Sequence, residues 1–210
     1  MNAQFQNCNY LTHVYSSNWD TSNVVDMLGL FTSCYSLISV DVSNWDTGKV
    51  TDLYCAFYGC SSLTSLDLSN WNVSKVRNAG LMFINCKLLT SLDLSNWNFE
   101  VVTYLNCMFQ HCNSLTSVGD ISNWNVSSVS RVDQMFTGCS SLTSLDLSNW
   151  DTSNVTEMHY MFHGCSSLAT LKLTNWNTSN VTKMQYMFCE CQALTELDLS
   201  SFDTYNVGSF

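Results

Sequence analysis

The sequence contains little positive charge. Only 7 residues are Lys or Arg, against 17 Asp or Glu, so the 210-residue chain has a formal net charge of −10. Nucleic acids and anionic membrane surfaces attract basic proteins, and this composition argues against both as partners. The same negative charge helps to keep a chain with many Trp, Phe and Met residues soluble.

Several functional segments are also missing from the sequence. No stretch approaches the roughly 18 consecutive apolar residues of a membrane helix, and the opening MNAQFQNCNY lacks the basic segment and the apolar run of a signal peptide. No Ser, Cys or Lys has a base at motif spacing, and there is no glycine-rich phosphate loop. We therefore expect a protein that is not an enzyme and that uses neither a cofactor nor a metal.

Tryptophan recurs at a fixed interval along the whole chain. The positions are Trp19, Trp45, Trp71, Trp97, Trp124, Trp150 and Trp176, with Phe202 in the eighth place. Every step is 26 residues except the one from Trp97 to Trp124, which is 27. A period of this size is typical of a solenoid, in which one coil cannot bury its apolar face alone. Residues 1–210 are thus predicted to form a single elongated domain of about eight coils.

One coil, LTSLDLSNWDTSNVTEMHYMFHGCSS over residues 142–167, shows the predicted architecture. Its LxxLxL segment has the alternation of a strand with one buried face. A turn-forming Asp-Thr-Ser-Asn follows, and then apolar residues at the spacing of a short helix or 3₁₀ turn. The fold class is therefore an α/β repeat solenoid, right-handed, with one parallel strand and a short helix or turn per coil. The core of this coil should contain Leu145, Leu147, Trp150, Val155, Met158, Phe162 and Cys165.

Two coils depart from the pattern. The 27-residue step has one extra residue in Ser117-Val118-Gly119-Asp120-Ile121, and Gly119 is the natural position for a bulge. In the first coil, Ser16 stands where the third leucine of the strand belongs, as an atypical end coil would allow.

The repeat LTSLDLSNWDTSNVTEMHYMFHGCSSL resembles those of the BspA-like bacterial surface proteins and of the related Listeria-type and mycoplasma lipoprotein-associated repeats. The resemblance covers essentially the whole chain. It implies a surface-exposed leucine-rich array used in adhesion and partner binding, with an extracellular or cell-surface location. It supplies no catalytic motif.

The two ends of the chain fall at the same point of the repeat. Met1 and Phe210 both occupy the position of Met158, so the chain spans eight repeats plus one residue. Two interpretations follow: a segment of a longer array, or a subunit whose uncapped ends stack head to tail into a filament.

Eight of the eleven cysteines share one position per coil, and stacked coils would place their sulfurs about 5 Å apart. They are either small apolar residues with free thiols or a partly oxidised ladder, and the odd total favours free thiols. The eight are Cys8, Cys34, Cys60, Cys86, Cys112, Cys139, Cys165 and Cys191.

Acidic side chains occupy one position of the predicted strand face in most coils. Serine and threonine columns flank them, and Lys172 interrupts them. They form either a solvated column of repeat consensus residues or a polar recognition surface, with weak calcium binding as a remoter option. We call this set the acidic strip and take it as the candidate binding site: Asp41, Asp67, Asp93, Asp120, Asp146 and Asp198.

The histidines offer a weaker candidate site. His159 and His163 are four residues apart with Cys165 nearby, which is a loose match to zinc ligation, but no fourth ligand is indicated. Surface residues are the better interpretation.

Two functional hypotheses remain. The first is a non-catalytic module that presents a rigid repeat face to a protein or glycan. The second is a structural building block that binds further copies of itself. A third, ice or crystal-surface binding through the hydroxyl columns, is disfavoured by the carboxylates that run between them.

Overall fold

The computed structural model describes residues 1–209, and Phe210, at the end of the last repeat, lies outside the described residues. Four short strands are present: β1 (His13–Val14), β2 (Ser39–Val40), β3 (Ser144–Asp146) and β4 (Thr170–Lys172). β1 pairs with β2, and β3 with β4, both in parallel. Residues one repeat apart are partners, as Leu145 is with Leu171. The chain is therefore a repeat solenoid with parallel pairing between coils.

The strands are shorter than the sequence predicts. In the coils between β2 and β3 the LxxLxL segments form no continuous strand, and a single parallel β-bridge pairs Ser91 with Ser117. The longest line of bridges runs instead through the other side of the coil. It comprises Asp26, Asp52, Asn78, Tyr104, Arg131, Glu157 and Lys183.

Of the two predicted alternatives for this segment, a short helix or a turn, the structure has the turn. The described part of the chain contains no helix, and the segment from Met158 to Cys165 consists of consecutive hydrogen-bonded turns. Tyr160 and Gly164 have φ values of 57° and 72°, in the left-handed region, and the equivalent residues of the other coils share these values. A right-handed helix cannot continue through such residues. The apolar spacing of this segment is produced by the consecutive turns.

These turns divide the backbone donors between two partners. The N–H groups of Met161, His163 and Cys165 donate to the carbonyl three residues earlier, closing turns. The intervening N–H groups of Tyr160 and Phe162 donate to carbonyls of the next coil, at 3.0 Å in both cases. Each coil thus closes its own turns and hydrogen-bonds to its neighbour with alternate residues, which satisfies the backbone without a helix.

The core is built of two stacked columns of aromatic rings. Neighbouring Trp rings have centroids 5.8–6.5 Å apart and are nearly parallel. The second column, of Phe rings one repeat apart, has spacings of 5.1–5.9 Å. All seven residues expected in the core of the reference coil are buried, which confirms that prediction. Offset ring pairs add about 0.5–1.5 kcal/mol each beyond the burial of their area.

The indole N–H groups tie each ring to the coil before it. Trp150 donates from Nε1 to the carbonyl of Ile121 at 2.9 Å, and Trp176 donates to Leu147 at 2.9 Å. In the first coil Ser16 replaces the leucine, and its buried hydroxyl accepts a hydrogen bond from Trp45 Nε1 at 3.1 Å and donates to the Asp41 carbonyl. The departure at Ser16 is therefore accommodated by a buried polar contact.

All eleven cysteines are free thiols in this structure. Those of the ladder act as donors: Cys112 donates from Sγ to the carbonyl of Phe83 at 3.1 Å, and Cys165 donates to Phe136 at 3.1 Å. Burial raises the pKa of the Cys112 thiol to about 12. A ladder thiol is thus a protonated core residue whose hydrogen points to the neighbouring coil.

The extra residue of the 27-residue step is accommodated at Gly119, whose φ is 77°. Trp97 and Trp124 on either side still stack, with centroids 6.2 Å apart. A bulge at Gly119 restores the register of the rings.

We expect stability to fall with rising pH because the buried thiols resist ionisation. Burial also raises the pKa of Cys60, Cys86, Cys139 and Cys165, whereas an unfolded thiol loses its proton near pH 8.5. Above that pH the unfolded state binds fewer protons than the native state. The contribution of the buried thiols to the free energy of unfolding is therefore present below about pH 8.5 and is lost as the pH rises. Under reducing conditions, the urea midpoint should decrease from about pH 8.5 upwards. A variant with Cys86→Ala and Cys139→Ala should show a shallower decrease, and an unchanged slope would contradict this origin.

Gly119→Val should destabilise the fold by about 1–3 kcal/mol, because it places a β-branched residue in the left-handed region. A Cβ atom at Gly119 would also lie 2.6 Å from both Asp93 Oδ1 and Ser95 Oγ. Gly208→Ala is the matched control, since its Cβ would meet only the Thr182 carbonyl at 3.9 Å. Urea unfolding of both variants measures the difference, and equal midpoints would show that Gly119 is unconstrained.

Candidate functional site

The acidic strip lies on the strand face, as predicted. Five of its members are exposed, and Asp146 is half-buried. Shallow grooves run beside it: one of about 420 Å³ is lined in part by Ser65, Asp67 and Asp93, and another of about 270 Å³ by Asp120 and Asp146. The structure therefore brings the predicted site residues onto one surface, coil after coil.

Each carboxylate of the strip is held by the serine two residues later. Asp67 Oδ1 accepts from the backbone N–H of Ser69 at 3.0 Å and from its hydroxyl at 2.7 Å. Asp93 does the same with Ser95, at 3.1 and 2.7 Å. Such bonds are the side-chain caps of a tight turn. The strip therefore has a structural role, because each of its Asp residues fixes the turn that leads into the aromatic ring of its coil.

These hydrogen bonds stabilise the ionised carboxylates. The Ser69 hydroxyl and N–H lower the pKa of Asp67, and the equivalent serines lower the pKa of Asp93, Asp120 and Asp198. For Asp146, the Ser148 hydroxyl is the largest cause and Lys172 is the next, and together they bring the pKa to about 2. The strip is thus a fixed row of negative charges at neutral pH.

Lys172 interrupts the row by neutralising part of it. Its Nζ lies 2.9 Å from Asp146 Oδ2, on the neighbouring coil. Both side chains are exposed, so this ion pair contributes little to stability. Its effect is to divide the strip into a longer negative segment from Asp41 to Asp120 and a single Asp198 beyond.

A second group of charged residues lies on the opposite side of the coil, along the line of turn bridges. We call Arg131, Asp133, Glu157, His159 and Lys183 the turn-face cluster. They come from three consecutive coils. Arg131 contacts Asp133 twice, from Nε at 2.9 Å and Nη2 at 3.0 Å, and Lys183 Nζ lies 2.9 Å from Glu157 Oε1. The Lys183 hydrogen bond is the largest cause that lowers the pKa of Glu157.

His159 lies between the two carboxylates of this cluster. Its Nε2 is 3.8 Å from Asp133 Oδ2, and its Nδ1 is 4.0 Å from Glu157 Oε2. One ligand atom from each of these three residues can be chosen so that all lie within 4.8 Å of one another. The side chain of His159 is 15% exposed, so it is partly buried within the cluster rather than freely exposed to solvent.

The zinc grouping considered from the sequence does not form. The Cys165 thiol is buried and donates to a backbone carbonyl, and burial raises its pKa well above the ordinary value. His163 is half-buried and packs edge-on against the Tyr160 ring. His159 and His163 are four residues apart in the sequence, whereas Asp133 reaches His159 across one repeat. The sequence did contain a signal for this cluster. The position of Asn78 and Tyr104 in their coils is taken in the next three coils by the charged residues Arg131, Glu157 and Lys183.

The fold and the repeat define a class, the parallel-paired repeat solenoids, and the sequence identifies the family. Residues 1–118 and again 103–210 match the family described as Mycoplasma protein of unknown function, DUF285. The chain belongs to this family, which confirms the predicted relationship to the mycoplasma lipoprotein-associated repeats. No curated protein matches the sequence.

Solved structures with some similarity include leucine-rich repeat proteins of bacteria. A cell surface protein of Faecalibacterium prausnitzii is 20% identical with a TM-score of 0.44, and the match covers 95% of this chain and 63% of that one. The T. pallidum leucine-rich repeat protein is 18% identical, with coverages of 87% and 77% and a TM-score of 0.42. An internalin of Listeria monocytogenes is 16% identical, with coverages of 93% and 62% and a TM-score of 0.29. Similarities this distant carry no argument about function, and the chain spans less than two thirds of the Faecalibacterium protein.

Residues 1–209 contain no helix of the length and apolar character needed to cross a membrane.

The turn-capping role of the strip predicts different effects for two substitutions of Asp67. Asp67→Ala removes the acceptor for both Ser69 donors and should destabilise the fold by about 0.5–1 kcal/mol, at the lower end for caps because the turn is exposed. Asp67→Asn keeps an acceptor oxygen, as Asn125 does for Ser127 in the next turn of another coil, and should change stability little. Urea unfolding compares the two, and equal losses would show that charge rather than capping matters.

Proposed function

We propose that this chain is a non-catalytic repeat module, displayed at the cell surface, that binds a protein or glycan through its strand face. The module is one domain of about eight right-handed coils and a segment of a longer array. The acidic strip is the contact surface. The observation that carries the proposal is that the strip's carboxylates, five of them exposed and Asp146 half-buried, are ionised and fixed at one orientation by serine hydrogen bonds.

A fixed row of charges suits recognition because the side chains lose little conformational freedom when a partner binds. The grooves beside the strip, one of about 420 Å³, give room for partner groups between the coils. A negative row selects a partner with a basic or hydrogen-bond-donating surface, and it makes the association faster at low salt. The partner class is therefore a basic protein segment or a glycan with donor hydroxyl groups.

The test is a binding screen on arrays of glycans and of extracellular proteins. The informative variant carries Asp67→Asn, Asp93→Asn, Asp120→Asn and Asp146→Asn, which removes four charges and keeps the turn-capping oxygens. We expect this variant to lose at least about ten-fold in affinity, about 1.4 kcal/mol. The control carries Glu100→Gln and Glu190→Gln, two exposed acids outside the strip, and should bind like the unmodified chain.

Urea unfolding must give the two variants similar midpoints before their binding is compared. If the four-fold Asn variant keeps full affinity for every partner found, the strand face is not the binding surface and the turn face becomes the candidate.

A second candidate function is self-assembly into a filament. The observation in its favour is an apolar depression of about 430 Å³ at the last described coil, lined in part by Met184, Met187, Phe188 and Phe202. At the other end, Trp19 is 37% exposed although its equivalents are buried. Negative-stain imaging over a range of concentrations separates the candidates: short rods at all concentrations support the module, and growing fibres support assembly.

A further inference from the structure

The turn-face cluster contains three metal-ligand side chains that come together across two coils. Asp133 belongs to one coil, and Glu157 and His159 belong to the next. We propose that these three residues form a Zn²⁺ site that joins the two coils. This proposal replaces the expectation, drawn from the sequence, that the chain holds no metal.

The spacing of the ligand atoms is close to what zinc requires. The three atoms fit within 4.8 Å of one another, and His159 Nε2 lies 3.8 Å from Asp133 Oδ2. Zinc bonds to imidazole nitrogen and carboxylate oxygen are about 2.0–2.2 Å long in a tetrahedral site, which separates ligand atoms by roughly 3.4 Å. Small side-chain rotations therefore complete the triad, and water takes the fourth position.

An unsatisfied atom points to the same place independently of the spacing. Nδ1 of His159 is buried and has no hydrogen-bond partner within residues 1–209. The 4.0 Å between this atom and Glu157 Oε2 is too long for a hydrogen bond. A buried polar atom without a partner is costly, and a bond from this nitrogen to a metal ion would remove that cost.

The charges of the cluster allow an ion to enter. Without one, Arg131 and Lys183 neutralise Asp133 and Glu157, and the side chains of these two cations are 41% and 50% exposed. Both can turn into solvent when a cation of higher charge arrives. Two carboxylates and a neutral imidazole then balance the two charges of Zn²⁺.

Neighbouring coils supply the conservative variants for a test. One repeat before Asp133 the chain has Asn106, and one repeat after His159 it has Gln185. Asp133→Asn and His159→Gln therefore introduce residues that the same position of the coil already accepts. His163→Thr is the matched control, because Thr137 stands one repeat earlier and His163 is outside the triad.

The experiment is calorimetric titration of the full chain with Zn²⁺ under reducing conditions, together with the absorption spectrum of bound Co²⁺. We expect one ion per chain, no sulfur-to-cobalt charge-transfer band, and a thermal midpoint that rises with Zn²⁺. Asp133→Asn and His159→Gln should each weaken binding by at least about ten-fold, since even the loss of a residue that only supports a ligand costs about 10–100-fold. Both should also reduce the thermal shift at a given Zn²⁺ concentration, whereas His163→Thr should keep it.

Arg131→Asn should change the Zn²⁺ affinity in the opposite direction. It removes the cation that competes for Asp133, and Asn78 occupies the same position two coils earlier. We expect tighter Zn²⁺ binding than in the unmodified chain. Binding unchanged by Arg131→Asn, binding retained by His159→Gln, a sulfur-to-cobalt band, or no binding by the unmodified chain would each overturn the proposal.

Discussion

Register between coils is the constraint on which this structure depends. Alternate backbone N–H groups donate to the next coil, and the same one-repeat offset stacks Trp on Trp and Phe on Phe at 5.1–6.5 Å. The indole Nε1 groups and the cysteine thiols add bonds to backbone carbonyls of the preceding coil. Because all these contacts join neighbouring coils in the same register, a one-residue change in that register would break them together. Gly119 shows the consequence: an added residue is tolerated only where the backbone can form a bulge before the next ring.

The same register places equivalent residues of successive coils side by side on the surface. Side chains one repeat apart become neighbours, so a residue type repeated in the sequence becomes a continuous line in space. On the strand face this gives the acidic strip, in which one type of residue caps a turn and exposes a charge. On the turn face the residue type changes from coil to coil, and Arg131, Glu157 and Lys183 form an alternating line of charges. A repeated surface suits a partner that contacts several coils at once. The local change in charge on the turn face instead creates a cluster confined to three coils.

The structural role of the strip changes how its function must be tested. Substitution of Asp by Lys removes the turn cap together with the charge, so a loss of binding would have two explanations. Asn separates them, because the chain itself uses Asn72 and Asn125 as caps in another turn of the coil. The cysteine column shows the same difference between pattern and structure. Its regular spacing allows cross-links, but the ladder sulfurs from Cys34 to Cys191 each donate to a backbone carbonyl.

The sequence by itself determined the solenoid, the length of its coil, the identity of the core residues and the face on which the acidic strip lies. Period and apolar alternation depend on neighbours along the chain, and these are readable without coordinates. It did not determine the backbone of the turn face, where it left a short helix and a turn open, and left-handed residues such as Tyr160 give the turn. Apolar spacing does not reveal the sign of φ. Nor did the sequence show the meeting of Asp133 with His159, because that contact depends on the stacking of two coils and on the rotamers of side chains 26 residues apart. Those were decided by the tertiary structure alone.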